Sequence, residues 1–163
     1  MIIHSKKFVS DLDDDCLQPN AVDLRVSAIS RINNNTPFFI SDTQKVHRNS
    51  YDIAPVREED INVWKLKPGQ YQFETWHEVK VPEGYAGWLI PRSTLNRNGV
   101  FITSGLYDSG FHNFVGGVMH VSGETIIQVG TRIAQFIMFN AETLHLYDGD
   151  YNMEKNDGNS STN

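Results

Sequence analysis

Val22, Leu24 and Val26 alternate with Asp23 and Arg25, the two-residue period of a half-buried strand whose other face carries the carboxylate and the guanidinium. Pro19 and Asn20 mark a turn ahead of it. The alternation returns in Trp64-Lys-Leu-Lys-Pro-Gly-Gln-Tyr-Gln-Phe73, turned at Pro68-Gly69, and in His77-Glu-Val-Lys-Val-Pro-Glu-Gly-Tyr85, turned around Pro82 and Glu83-Gly84. Further apolar runs are Ala86-Gly-Trp-Leu-Ile90, Phe114-Val-Gly-Gly-Val-Met119, Thr125-Ile-Ile-Gln-Val129 and Ile133-Ala-Gln-Phe-Ile-Met-Phe139. Short strands at nearly regular spacing, with Gly and Pro between them, predict an all-β sandwich or jelly roll. One short helix is expected near residues 93–98. Residues 31–60 are polar and Asn-rich, and read as a variable insertion with one or two short strands at Pro37-Phe-Phe-Ile40 and Tyr51-Asp-Ile53. Residues 153–163 have no apolar anchor and read as a disordered tail, leaving one β domain over 1–152.

Charge and composition narrow the function. A net charge of −6 speaks against general nucleic-acid binding, which needs a basic footprint, but not against a small anion held by a local arginine cluster. No apolar run approaches membrane-spanning length, and the N-terminus lacks the pattern of a signal peptide, so a soluble cytoplasmic protein is expected. The single cysteine, Cys16, cannot supply the ligands of a zinc-dependent deaminase. No Walker-type phosphate loop occurs, and the six histidines show no zinc spacing. The acidic run Asp11-Leu-Asp-Asp-Asp15 reads as a solvated turn.

Candidate chemistry concentrates between residues 90 and 111. Arg92 and Arg97 can present planar forks of donors to phosphate oxygens, with Ser93 and Thr94 adding hydroxyls. Asp108 stands between Leu106-Tyr107 and the turn-like Ser109-Gly110, as a carboxylate at the end of a strand would. Together they fit a site that holds a polyphosphate and activates a water. The same residues would serve equally as surface charges and a turn. His112 and His120 lie nearby and read as strand or turn residues.

In order along the chain, five segments resemble the superfamily of trimeric dUTPases and dCTP deaminases. Gln18-Pro-Asn-Ala-Val-Asp-Leu-Arg25 is similar to an early segment of the deaminase branch, and Pro91-Arg-Ser-Thr-Leu-Asn-Arg97 to the arginine-serine segment of both branches. Gly105-Leu-Tyr-Asp-Ser-Gly-Phe111 resembles the family hairpin, Gly130-Thr-Arg-Ile-Ala-Gln-Phe-Ile137 a later shared segment, and Tyr147-Asp-Gly-Asp-Tyr151 a tyrosine-flanked stretch of the deaminases. The resemblance implies a distorted jelly roll in a homotrimer with active sites between subunits. It implies Asp108 as the residue that activates water, and Arg92, Ser93, Arg97 and Gln135 as phosphate-binding. It implies a base and sugar pocket at the 103–111 hairpin, from Thr103, Ser104, Gly105, Tyr107 and Phe111, with Phe111 either against the sugar or simply in the core. It also implies a deoxyribonucleoside triphosphate substrate bringing Mg²⁺ on its phosphates, with no dedicated metal site in the protein.

The branch turns on one position. Where the resemblance places the deaminase glutamate, ten residues after Asp108, the chain has Val118. The leading expectation is therefore hydrolysis of dUTP to dUMP and pyrophosphate. The alternatives are a dCTP deaminase, bifunctional or not, a hydrolase of dCTP or a modified pyrimidine triphosphate, and a catalytically silent nucleotide-binding trimer. The tail also lacks the arginine-rich arm typical of dUTPases, so that either the Tyr147–Tyr151 stretch replaces it or closure over the triphosphate is poor.

Overall fold

The computed structural model describes residues 1–153, so the expected tail lies, apart from Met153, outside the described residues. Among the described residues the strands are β1 (Ile2–Ile3), β2 (Val22–Ile32), β3 (Phe39–Ile40), β4 (Lys45–Val46), β5 (Ser50–Asp52), β6 (Val56–Glu58) and β7 (Ile61–Leu66). They continue with β8 (Gly69–Lys80), β9 (Tyr85–Pro91), β10 (Val100–Thr103), β11 (His112–Val121), β12 (Thr125–Gln128) and β13 (Arg132–Asn140). The short helix falls where the sequence places it, as α1 (Ser93–Arg97). The insertion holds β3 to β6, more strands than the pattern alone gives, because two- and three-residue pairings leave almost no periodic signal.

The main sheet runs β1-β13-β2-β8-β11-β10, with β5 beside β2 and β9 beside β13. A three-stranded sheet, β12-β7-β6, and the β3–β4 pair complete the all-β architecture. Every strand pairing is antiparallel, as a jelly roll requires. Val22, Leu24, Val26, Leu89, Met119, Ile133, Phe136 and Met138 are buried at its centre. Burying such side chains contributes about 1.5–3 kcal/mol each, the main drive for closing the sheets.

Two strands differ from their sequence reading. The Phe73 and His77 patterns are one strand, β8, whose inward side runs through Tyr71, Phe73, Thr75, His77 and Val79. Thr75 and His77 are polar, so the apolar count lapses while the pleat continues. Thr75 Oγ1 donates to the Val115 carbonyl at 2.9 Å, and His77 Nδ1 lies 2.9 Å from the Ser10 carbonyl, while the buried His77 Nε2 has no hydrogen-bond partner among the described residues. In β2, Asp23 is fully buried rather than on an open face, because guanidiniums from the neighbouring chain segments close over it.

Two close approaches position the 103–111 hairpin. Gly87 in β9 exchanges both backbone hydrogen bonds with Tyr107 (2.8 and 2.9 Å), and a Cβ there would stand 2.2 Å from the Phe136 ring. Asp108 to Phe111 form a turn closed by the Phe111 N–H on the Asp108 carbonyl at 3.0 Å, with Gly110 at φ +91. That positive φ at the third residue is what a type II turn demands.

Candidate active site

Asp23 organises the candidate phosphate site. Its Oδ2 lies 3.0 Å from Arg92 Nε and 3.6 Å from Arg132 Nη1, and its Oδ1 accepts from Gln135 Nε2 at 3.0 Å. Arg92 Nη1 also donates to the Arg132 carbonyl at 3.1 Å. Arg92 is thus held at two points, by the Asp23 charge beside Nε and by the Arg132 carbonyl at Nη1, which leaves Nη2 for an outside acceptor. Arg132 in turn donates to the Asp15 carbonyl. A carboxylate with no exposed surface is tolerable only when charges and donors surround it, and here two arginines and an amide do.

The remaining phosphate candidates stand differently. Ser93 and Arg97 are exposed on α1, and neither side chain has a partner among the described residues. Gln135 commits one amide N–H to Asp23, so its first role is to orient that carboxylate. The acidic run is more than a solvated turn at one position. Asp13 Oδ1 accepts the Cys16 N–H at 3.0 Å, and its Oδ2 pairs with Arg25 at 2.8 Å. A hydrogen bond with the Cys16 side chain first, then the Arg25 pair and last the Cys16 N–H, hold the Asp13 carboxyl below the ordinary carboxylate range.

The hairpin half is built around Tyr107. Its hydroxyl donates to the Gly116 carbonyl at 2.6 Å and accepts the Gly116 N–H at 3.2 Å, and burial pushes its pKa up to about 12. Phe111 packs edge-on to Tyr107 at 4.9 Å and lies 5.9 Å from Tyr147, with only 6% of its surface exposed. Phe111 is a core residue whose edge reaches the cavity. Gly105, Tyr107 and Phe111 line a cavity of about 650 Å³ together with Gly116, Gly117 and Val118. Thr103 and Ser104 do not line it. Thr103 Oγ1 lies 3.4 Å from the Val118 carbonyl, and Ser104 Oγ donates to the Gly105 carbonyl at 2.9 Å.

Asp108 is exposed and lines an adjoining cavity of about 560 Å³ with Tyr85, Ser109, Glu142 and His145. Leu106 and Tyr147 border both cavities, so Asp108 and the aromatic pocket flank one ridge. None of Arg92, Ser93, Arg97 and Gln135 lines either cavity. Within one chain the phosphate candidates and the hairpin candidates therefore sit on separate surfaces.

The tyrosine-flanked stretch straps the hairpin. Tyr147 N–H donates to the Ser109 carbonyl at 2.7 Å, and Asn113 Nδ2 donates to the Tyr151 carbonyl at 2.9 Å. Asn152 accepts the His112 N–H at 2.9 Å and donates to the Gly110 carbonyl at 3.2 Å. His112 opens β11 against Glu78, and His120 lies 3.5 Å from Thr103 Oγ1.

Sequence reasoning missed Asp23 and Arg132 as site residues, although both lie inside the segments that carried the resemblance. A charged residue flanked by buried apolar neighbours in β2 was the available signal for Asp23. Among the described residues, no three His, Cys, Asp or Glu side chains converge on a point, and no helix is long and apolar enough to cross a membrane.

Residues 1–141 match the family model described as dCTP deaminase-like. A probable deoxyuridine 5'-triphosphate nucleotidohydrolase of Halobacterium salinarum is 30% identical over 151 residues, covering 91% of this chain and 90% of that protein. A dUMP-forming dCTP deaminase of Corynebacterium kroppenstedtii is 28% identical over 110 residues, covering 66% of this chain and 58% of that protein. Among solved structures, a 2'-deoxycytidine 5'-triphosphate deaminase from Agrobacterium tumefaciens superposes with a TM-score of 0.61 at 15% identity, covering 86% of this chain and 48% of that one. The chain thus spans about half the length of that structure, which shares its fold.

Proposed function

This chain belongs to the dCTP deaminase-like family, and on that premise we propose that it hydrolyses dUTP to dUMP and pyrophosphate. The observation that carries this reading is Val118. It faces the aromatic cavity on β11, where the resemblance would have a deaminase place its glutamate, and an alkyl group can neither take nor give a proton. The end-to-end similarity to a nucleotidohydrolase supports the same choice.

Asp108 takes a proton from a water as the water oxygen bonds to the α-phosphorus. The bond from that phosphorus to the oxygen bridging to the β-phosphorus breaks, and pyrophosphate leaves with the electron pair. Asp108 then releases the proton to solvent. The exposed position of Asp108 suits a group that must meet water and return its proton. Arg92, Ser93 and Arg97 hold phosphate oxygens and offset their growing charge, with Gln135 and Asp23 keeping Arg92 in place.

Magnesium fits as an ion carried by the triphosphate. Asp23, the one wholly buried carboxylate at the phosphate half, is crowded by two guanidiniums and is no ligand for a cation. When bound, the ion would neutralise charge on the phosphate oxygens.

The separation of the two halves within one chain supports a homotrimer in which the arginines of one subunit meet the hairpin of the next. Soluble, cytoplasmic nucleotide metabolism completes this reading. The direct test is incubation with dUTP and Mg²⁺, following pyrophosphate. Release of pyrophosphate with dUMP as co-product is expected, and no release over long incubation with excess protein would overturn this reading.

Deamination of dCTP is the second reading, favoured by the deaminase-like segment at 18–25 and by the family match. Ammonia release from dCTP separates it from the first.

A further inference from the structure

Two polar side chains in the aromatic cavity have no partner among the described residues. The other polar groups there are spent on backbone. The Tyr107 hydroxyl is held by Gly116, the Tyr147 hydroxyl accepts the Tyr151 N–H at 3.4 Å, and the Asn113 amide serves Phe114 and Tyr151. Gln72 and Glu74 line the same cavity from β8, and among the described residues neither side chain makes a hydrogen bond or ion pair.

Their direction follows from the pleat. Tyr71, Phe73 and Thr75 are buried, so Gln72 and Glu74 stand on the opposite, open face. Gln72 pairs with Val118 and Glu74 with Gly116 across the β8–β11 ladder. Glu74 is therefore the diagonal neighbour of Val118, a separation of about 7–8 Å that a long side chain spans. Gly116, opposite Glu74, adds no side chain to the cavity wall, and a Cβ there would stand 2.2 Å from the Phe73 carbonyl oxygen.

We propose that Gln72 and Glu74 read the hydrogen-bonding edge of the pyrimidine in this cavity, which rests on the reading that the 103–111 hairpin takes the base. A carboxylate only accepts, whereas an amide both donates and accepts. The pair thus selects an edge with an N–H for Glu74 beside an acceptor for the Gln72 NH₂. Uracil offers N3–H beside O4. A base methylated at N3 has no proton to give and sets a methyl group against the carboxylate. The Glu74 charge also keeps the triphosphate out of this end, turning it toward the arginines.

The test compares dUTP with N3-methyl-dUTP for the full chain, Gln72→Ala, Glu74→Gln and Glu74→Ala, with thermal melts confirming folding. Gln72→Ala and Glu74→Ala should each lower kcat/KM for dUTP about 10- to 100-fold, chiefly through KM. Glu74→Ala should also shrink the preference for dUTP over N3-methyl-dUTP by a similar factor. An unchanged preference in Glu74→Ala overturns the proposal. So does ammonia release from dCTP that disappears in Glu74→Gln, because Glu74 would then move protons rather than read the base. If the wild-type chain releases no pyrophosphate from dUTP, the hydrolase reading fails separately. Calorimetry with deoxyuridine then decides this proposal: weaker binding by Glu74→Ala supports it, and equal binding overturns it.

Discussion

Asp23 Oδ2 lies 3.0 Å from Arg92 Nε with no surface of its own exposed, so the first arginine of the candidate phosphate site is held by a carboxylate the solvent never reaches. Replacing Asp23 by Asn keeps the shape and removes the charge that balances Arg92 and Arg132. Both arginines are partly exposed, at 30% and 26%, so water recovers part of the loss. The cost should fall at the low end for a broken buried pair, about 3 kcal/mol. Urea unfolding measures that cost. In the same variant, kcat for dUTP should fall while an exposed-surface control keeps its rate, since Arg92 loses the charge beside its Nε.

Asp108 should behave in the opposite way. It is exposed, and its turn is closed by backbone atoms, the Phe111 N–H donating to the Asp108 carbonyl at 3.0 Å. Asp108→Asn should therefore shift stability by no more than about 0.5 kcal/mol. It should lower kcat for pyrophosphate release by about 10²- to 10⁴-fold, the usual worth of a positioned base. Equal turnover by variant and wild type would remove Asp108 from the mechanism.

These two residues also mark how far the sequence could be read. The Asp108 turn was legible because Ser109-Gly110 has local turn chemistry, and Gly110 does take the positive φ. Burial of Asp23 was not legible, because it depends on Arg92, Arg132 and Gln135 arriving from distant segments. Strand β8 was read as two pieces because Thr75 and His77 sit inward, where alternation counts apolar residues only. Gln72 and Glu74 looked like ordinary outward positions of an alternating strand. Only the register against Val118 and Gly116 puts them in a cavity. The jelly-roll class and the short helix needed no such long-range information, since turn residues and period are local properties.

Tyr107 predicts an alkaline transition. Its folded pKa is raised to about 12 by burial, against an ordinary value of 10.0. Below pH ~10 both folded and unfolded chains hold the proton, and the stabilisation is complete. Between about pH 10 and 12 only the unfolded chain releases it, so stability falls as pH rises, by up to about 3 kcal/mol. Melting temperatures across this range should drop more steeply for the wild type than for Tyr107→Phe. The phenylalanine variant should be less stable at neutral pH by about 1–3 kcal/mol, because the Gly116 N–H and carbonyl lose their partner.

Sharing of the site between subunits makes the sharpest demand. Arg97 and Asp108 are both exposed, so Arg97→Ala and Asp108→Asn should fold and each lose most dUTP hydrolysis. If each site joins the arginine half of one subunit to the hairpin half of its neighbour, unfolding and refolding an equal mixture creates some intact sites. An arginine half from the Asp108→Asn chain then meets a hairpin half from the Arg97→Ala chain in roughly a quarter of all sites. The mixture should recover about a quarter of wild-type activity, while the same two proteins mixed without refolding stay inactive. A site completed within one chain recovers nothing in either mixture, since every subunit would carry one broken half.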